Sequence, residues 1–298
     1  MKNKNVYRGL FALSTVALLT SCGGEGIEID GDNLGTDTTQ TETVVEPTGL
    51  EVEYSVPTPN ELFEIVKLQG GEQKVGLVNP LENRDNYVET TEKALNFGVY
   101  SADLAYMSCF GVGTEFLMYM KTIEEMGDEL GISGAFDEDL LDRIENNEGD
   151  SDSLFAISNE TYYDSYLFLE ENGKGKELSL IMGAGYIESL YIICNLVDEY
   201  KEGDLIIEKI GDQKLVLENL MEFLASYQDD ADVADMTNDL VSLQEVFEIS
   251  MDFEESGTNV DNTSGKLVLS GGGSFQMNEK ALTDITAKIT ELREKITK

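Results

Sequence analysis

Residues 178–197 read LSLIMGAGYIESLYIICNLV and carry one charged side chain, Glu188. Residues 95–113 read LNFGVYSADLAYMSCFGVG and also carry one, Asp103. A helix that is apolar on all sides is buried on all sides. Residues 178–197 are long enough to cross a bilayer, but a glutamate at the bilayer centre costs roughly 3 kcal/mol. We therefore predict two central core helices, each with one buried carboxyl group.

Apolar side chains recur at spacings of three and four along almost all of the chain after residue 60, and Pro80 is the last proline. Such spacing in a stretch without helix breakers predicts helices. Asp137 and Asp204 stand where helix N-caps are expected. The prediction is an all-α fold, a multi-helix bundle that forms one domain over residues 59–298. Its helices are expected at residues 60–69, 85–110, 114–130, 137–147, 152–172, 177–201, 204–228, 232–254 and 279–297.

Residues 257–277 interrupt the helical pattern. Two short runs, 266–269 (KLVL) and 274–277 (SFQM), flank the sequence SGGG at 270–273. Extended runs on both sides of a glycine turn indicate a minor β-hairpin or an extended connection. No Gly-Lys-Ser/Thr follows the glycines, so the sequence does not indicate a phosphate-binding loop.

The last predicted helix has an apolar stripe with spacings of three and four, formed by Leu282, Ile285, Ile289, Leu292 and Ile296. It is also the one region of the predicted body where basic residues balance acidic ones. The stripe indicates either docking onto the acidic body or a coiled-coil contact with another protein. Because two heptads are short for an independent coiled coil, we favour docking.

The two central segments align with each other at an offset of 85 residues. The aligned pairs include Leu95 with Leu180, Gly98 with Gly183, Asp103 with Glu188, and Cys109 with Cys194. The alignment indicates an internal duplication of a helical unit, with chance matching of common residues as the alternative. A duplication predicts that the two helices pack about a pseudo-twofold axis, with Gly98 and Gly183 allowing close approach.

The candidate ligand or ion site consists of Asp103 with Tyr106 and Glu188 with Tyr191. Each carboxylate precedes a tyrosine by three residues, so the two side chains share a helix face. Two carboxylates close together in a poorly solvated centre would serve as an acid/base pair or a cation site. Alternatively, tyrosine hydroxyls, lysines or backbone amides satisfy each carboxylate, and the pair only fixes helix register. We favour this structural interpretation, and no metal or cofactor motif stands beside the residues.

Cys109 and Cys194 are the cysteines of the predicted body. In an oxidising compartment they are candidates for a disulfide, provided that their Cα atoms lie roughly 4.4–6.8 Å apart. Otherwise they are small buried apolar side chains. Thiol catalysis is not expected, because the chain contains no His to lower a thiol pKa.

Residues 1–21 have the pattern of an export signal. Three basic residues precede an apolar stretch from Gly9 to Leu19, and Leu19-Thr20-Ser21-Cys22 follows. The apolar stretch is too short to span a bilayer. Small residues directly before a cysteine resemble the lipobox of bacterial lipoproteins. The resemblance implies cleavage before Cys22, a diacylglycerol on its sulfur, and attachment of the mature protein to a membrane.

Residues 22–58 form a predicted flexible acidic tether. From residue 23 onward the segment is rich in Gly, Thr, Asp and Glu and contains no Lys or Arg. It cannot bury enough apolar surface to offset its ordering entropy. Acidic residues soon after a lipidated cysteine also resemble the surface-export signal of some Gram-negative lipoproteins. Gly23 and Gly24 intervene here, which leaves the periplasmic face and the outer surface of the outer membrane as alternatives.

The formal net charge of −39 limits the choice of partners. A polyanion repels phosphate backbones, so nucleic acid is not an expected partner. The chain resembles helical lipoproteins of Gram-negative envelopes, and that likeness carries no known activity. We expect a lipid-anchored exported protein with a binding or envelope-organising role, an envelope protein as its partner, and no cofactor. The alternative is a carboxylate-based enzyme or cation-dependent binder that uses Asp103 and Glu188.

Overall fold

The computed structural model describes residues 58–70, 73–74, 76–111, 113–136, 139–254, 259–261, 268–270 and 274–298. The predicted signal peptide, Cys22 and the tether up to residue 57 lie outside the described residues. The described helices are α1 (Pro59–Gln69), α2 (Thr90–Ser108), α3 (Gly113–Leu130), α4 (Leu140–Asn146), α5 (Ser151–Glu171), α6 (Gly175–Leu196), α7 (Leu205–Ala225), α8 (Ala231–Ser250) and α9 (Glu279–Ile296). The predicted all-α multi-helix bundle is confirmed.

Helices α2 and α6 form the centre of the bundle, as their composition predicts. Most of their side chains are buried, and α6 also packs against α1, α5, α7, α8 and α9. Gly98 lies between Ile181 and Gly185, and Asp103 contacts Glu188. The two helices therefore run parallel, with residues 85 apart at the same level.

The close approach of α2 and α6 depends on Gly98 and Gly185. A Cβ atom on Gly98 would lie 2.1 Å from the carbonyl oxygen of Ile181, and one on Gly185 would lie 3.3 Å from the Gly98 oxygen. Gly183, which was predicted to pair with Gly98, instead faces Met236 of α8. That prediction is wrong, because the α6 face that meets α2 passes through residues 181, 185 and 188.

Helix α6 is the described helix that is long and apolar enough to cross a membrane. However, 89% of its most apolar 18-residue window is buried inside the protein. Such burial is typical of the core helix of a bundle, because a spanning helix turns apolar side chains toward lipid.

Capping decides several helix boundaries. Helix α2 begins at Thr90 rather than near residue 85, because the Glu92 carboxylate accepts hydrogen bonds from the backbone N–H groups of Val88 and Glu89 at 2.9 and 3.0 Å. Asp204 is the N-cap of α7, as predicted, and accepts from the backbone of Ile206 at 2.9 Å. Residue 137 lies outside the described ranges, and α4 begins after Asp139.

The β segment is present, but its strands pair differently from the prediction. Strand β1 (Asp252–Glu254) pairs antiparallel with β4 (Ser274–Gln276), and β2 (Asn259–Asp261) pairs with β3 (Val268–Ser270). The strands on either side of the glycines, β3 and β4, therefore do not pair with each other and do not form the predicted hairpin. The glycines lie between β3 and β4 in the chain, outside the described residues.

Helix α9 docks onto the body by its apolar stripe, as predicted. It packs against α6 and α8, and the five stripe side chains are buried: Leu282, Ile285, Ile289, Leu292 and Ile296. Asn278 caps the helix by accepting from the backbone N–H of Ala281 at 2.8 Å. This docking brings the basic C-terminal turn of α9 over the centre of the bundle.

Candidate functional site

Asp103 of α2 and Glu188 of α6 lie side by side in the core. Both residues are fully buried, and their carboxyl groups are close enough for each to shift the pKa of the other. The parallel register of the two helices places them at the same level, although 85 residues separate them in the chain. The structure therefore brings the two predicted carboxylates together.

Arg293 of α9 binds Glu188. Its Nε lies 3.0 Å from Oε1 and 2.7 Å from Oε2 of the carboxylate, and its Nη2 donates to the carbonyl oxygen of Leu77 at 3.3 Å. The guanidinium lies 4.3 Å from the ring centroid of Tyr191, a cation–π distance. Only 15% of the Arg293 side chain is exposed. The C-terminal helix thus supplies the cation that neutralises the buried glutamate.

Residues 76–89, which we call the strap, cover the carboxyl pair between α1 and α2. The backbone N–H of Asn79 donates to Asp103 Oδ2 at 3.0 Å, and its side-chain amide donates to the Tyr87 hydroxyl at 3.0 Å. Two tyrosines on the helices bind the strap backbone: Tyr119 donates to the Asn79 oxygen at 2.8 Å, and Tyr100 to the Pro80 oxygen at 3.0 Å. Three of these bonds join the strap to α2 and α3, and the bond between Asn79 and Tyr87 lies within the strap.

Burial raises the pKa of both carboxyl groups. The pKa of Asp103 lies well above its ordinary value, first because of burial and then because of the neighbouring negative charge of Glu188. Burial also raises the pKa of Glu188, and Arg293 opposes that rise. The two groups titrate as a coupled pair, and Asp103 is the one that favours the protonated form.

The two predicted tyrosines have different surroundings. Tyr191 lies under the Arg293 guanidinium and so belongs to the cluster. The hydroxyl of Tyr106 accepts a hydrogen bond from the backbone N–H of Lys74 at 2.9 Å, and its ring packs against Phe63 and Phe110. Tyr106 shares a helix face with Asp103 but does not belong to the cluster, because its hydroxyl binds the backbone of Lys74 instead.

No family model matches the chain, and no curated protein or solved structure matches it either. Any assignment of function therefore depends on the sequence and on the geometry of the site.

Sequence reasoning missed Arg293 and Asn79. A signal for Arg293 exists, because it lies four residues after Ile289 and three before Ile296, on the buried face of α9. A cation inside an apolar stripe indicates a buried partner. Asn79 has no comparable signal, since the contact that matters comes from its backbone.

The geometry favours the structural interpretation of the pair. Arg293 Nε binds both oxygens of Glu188, and the Asn79 backbone donates to Oδ2 of Asp103, so the donors are arginine and backbone instead of tyrosines or lysines. A substrate would need to displace the strap or α9 to reach either carboxyl group. Within the described ranges, no group of three or more Asp, Glu or Cys side chains is arranged to hold a metal ion.

A separate cleft lies between α1, α5, α6 and α7. Its lining includes Glu61, Tyr162, Tyr186, Lys209 and Gln213, and its volume is about 50 Å³. Burial raises the pKa of Glu61, and the charge of Lys209 opposes that rise. Pockets for drug-sized ligands have volumes of about 300–1,000 Å³, whereas one water needs about 10–15 Å³, so this cleft has room for a few water molecules or a small ion.

Cys109 and Cys194 are free, buried thiols in the structure, so they do not form the candidate disulfide. Cys109 contacts the carbonyl oxygens of Phe63 and Ala105 at 3.7 and 3.6 Å, whereas Cys194 faces Thr286 of α9. The two thiols point toward different neighbouring helices, α1 and α9. Each is a small apolar side chain of the core.

We expect both core thiols to resist alkylation in the folded protein. Burial raises the pKa of Cys109 and of Cys194 to about 12, so the reactive thiolate is scarce near neutral pH. Peptide mass spectrometry after iodoacetamide treatment should find both unmodified without denaturant and both alkylated in denaturant. Alkylation of the folded protein, or a disulfide-linked peptide, would contradict the structure.

Proposed function

We propose that the protein is an exported lipoprotein, anchored through Cys22, with a binding or envelope-organising role. The observation that carries the proposal is the N-terminal sequence, in which a basic start, an apolar stretch and Leu19-Thr20-Ser21 precede the cysteine. Two or more acyl chains give stable membrane attachment. As a flexible chain, the acidic tether would have an r.m.s. reach of roughly 30–36 Å, so the helical body can stand clear of the membrane.

A binding or organising role suits the helical body better than catalysis does. The carboxyl pair is buried beneath the strap, Arg293 pairs with Glu188, and the described cleft is too small for most substrates. The alternative, a carboxylate-based enzyme or cation-dependent binder, is supported by the contact between Asp103 and Glu188. It requires the strap or α9 to open during each cycle.

The test of the anchor is Cys22→Ser in the native host. The wild-type protein should fractionate with membranes, and its N-terminal peptide should carry acyl chains by mass spectrometry. The serine variant should lack the acyl chains and leave the membrane fraction, because the sulfur that carries the lipid is absent. Cys109→Ser is the matched control, since that thiol lies in the core and should leave fractionation unchanged. A wild-type product with an unmodified Cys22 thiol would refute the proposal.

The envelope role has its own test. Protease treatment of intact cells distinguishes the outer surface from the periplasmic face. Cross-linking in cells before membrane solubilisation should then recover a specific envelope partner with wild-type protein, and lose it with Cys22→Ser at equal abundance. A fully membrane-anchored protein that cross-links to no partner or ligand would count against the role while leaving the anchor intact.

A further inference from the structure

We propose that the buried carboxyl pair is a proton-binding site, in which Asp103 and Glu188 hold one proton between them at neutral pH. The proton resides on Asp103, which donates to the Glu188 carboxylate. Arg293 keeps Glu188 ionised. The cluster is then electrically neutral only while the proton is bound.

The charge balance of the cluster supports this proposal. Two carboxyl groups and one guanidinium meet in a region where both carboxyl groups are fully buried and the arginine is nearly so. An unneutralised charge in such a place is strongly unfavourable, so buried ionisable groups change protonation instead. Arg293 balances the negative charge of one carboxylate, and one bound proton removes the negative charge of the other.

The hydrogen-bond geometry assigns the proton to Asp103. Its Oδ2 accepts from Asn79, but its Oδ1 is buried and has no donor among the described residues. Both oxygens of Glu188 already accept from Arg293. A proton on Asp103 turns a contact between two acceptors into a hydrogen bond. Burial and the charge of Glu188 raise the pKa of Asp103, whereas Arg293 opposes the rise that burial causes for Glu188, which agrees with the assignment.

Other titratable groups face the pair from α2, α3 and the strap. They are the phenols of Tyr100, Tyr119 and Tyr87, and burial raises the pKa of each. Tyr191 of α6 faces the pair across the Arg293 guanidinium. The three buried phenols stay neutral at physiological pH, so Asp103 and Glu188 are the groups of this cluster that exchange a proton.

Proton binding links this site to stability in a defined direction. The folded chain holds the Asp103 proton more tightly than the unfolded chain does, because its pKa is raised on folding. The stabilisation is therefore complete below the unfolded-state pKa and is lost as pH rises through the folded-state pKa. Asp103→Asn should remove this dependence, because its amide accepts from Asn79 and donates to Glu188 without titrating.

The test is infrared difference spectroscopy of the full-length protein. At neutral pH the wild type should show the carbonyl band of a protonated carboxylic acid. Carbon-13 labelling of aspartate side chains should shift that band, and Asp103→Asn should abolish it. The melting temperature should fall less between about pH 5 and about pH 8 in Asp103→Asn than in the wild type.

Asp198→Asn is the control, because Asp198 is 86% exposed and pairs with Lys74 at the surface. It should keep the band and the wild-type pH dependence. A wild-type spectrum without an aspartic acid band at neutral pH would overturn the proposal. The carbon-13 labelling uses the wild-type protein, so this result can be obtained even if Asp103→Asn does not fold. Stabilisation by sodium at constant ionic strength, with no such band, would overturn it in favour of a bound cation.

Discussion

Replacing Arg293 with methionine is expected to lower the free energy of unfolding by about 3–5 kcal/mol. The substitution leaves Glu188 buried without its cation and removes the bond to the Leu77 oxygen. Methionine replaces the aliphatic part of the side chain, so the loss is mainly electrostatic. Urea denaturation followed by circular dichroism measures it.

The loss should grow as pH rises. Without Arg293, the main influence that lowers the pKa of Glu188 disappears, and burial raises that pKa further. A group with a raised folded-state pKa loses its stabilisation as pH rises through that value. The difference between wild type and Arg293→Met should therefore be larger at about pH 8 than at about pH 5.

Two further variants separate this interpretation from a general effect on α9. Lys295→Met removes a cation from the same helix, but that side chain is 59% exposed and pairs with Asp239. It should cost less than about 1 kcal/mol. The double variant Arg293→Met/Glu188→Gln should recover most of the loss, because no unpaired charge remains. A double variant as unstable as the single one would show that packing, not charge, explains the effect.

Replacing Gly98 with alanine is expected to destabilise the protein by about 3 kcal/mol, at the upper end of the range for overpacked cores. The added Cβ would lie 2.1 Å from the Ile181 oxygen and 3.0 Å from the Gly185 nitrogen. Both are backbone atoms of α6, so the helices must separate. That cost exceeds the gain of about 1 kcal/mol in helix propensity. Thermal and urea unfolding measure the result.

Gly183→Ala is the matched control. Its added Cβ would meet the Cγ and Sδ atoms of Met236 at 2.8 Å, and a methionine side chain adapts by changing rotamer. The gain in helix propensity offsets that adjustment, so we expect a change within about 1 kcal/mol. Equal losses at Gly98 and Gly183 would contradict the packing of α2 on α6 and favour the symmetric interface that the duplication predicts.

The carboxyl site was predictable in part. The isolated charges of Asp103 and Glu188 in apolar segments indicated that both are buried, and the offset of 85 suggested that they meet. The role of Arg293 was not predicted, because it was counted among the basic residues of its helix and its position on the buried face was not considered. Asn79 escaped because a backbone N–H carries no sequence signal.

The β segment was also predictable only in part. The sequence indicated strands on either side of residues 270–273, and strands are present there. It did not indicate that Asp252 pairs with Gln276, since that register depends on where α8 ends and α9 begins. Pairing between distant strands is a property of the whole chain rather than of the local pattern.

The amino-acid sequence by itself determined that the body is helical, which helices lie at its centre, and which carboxyl groups are buried. Periodicity and apolar content report the face that each helix buries, and they depend on neighbouring residues only. The tertiary structure decided the partners: α6 against α2 through Gly98, and Arg293 against Glu188 across 105 residues. Such partners depend on how rigid helices pack against one another, a relation that no local pattern encodes.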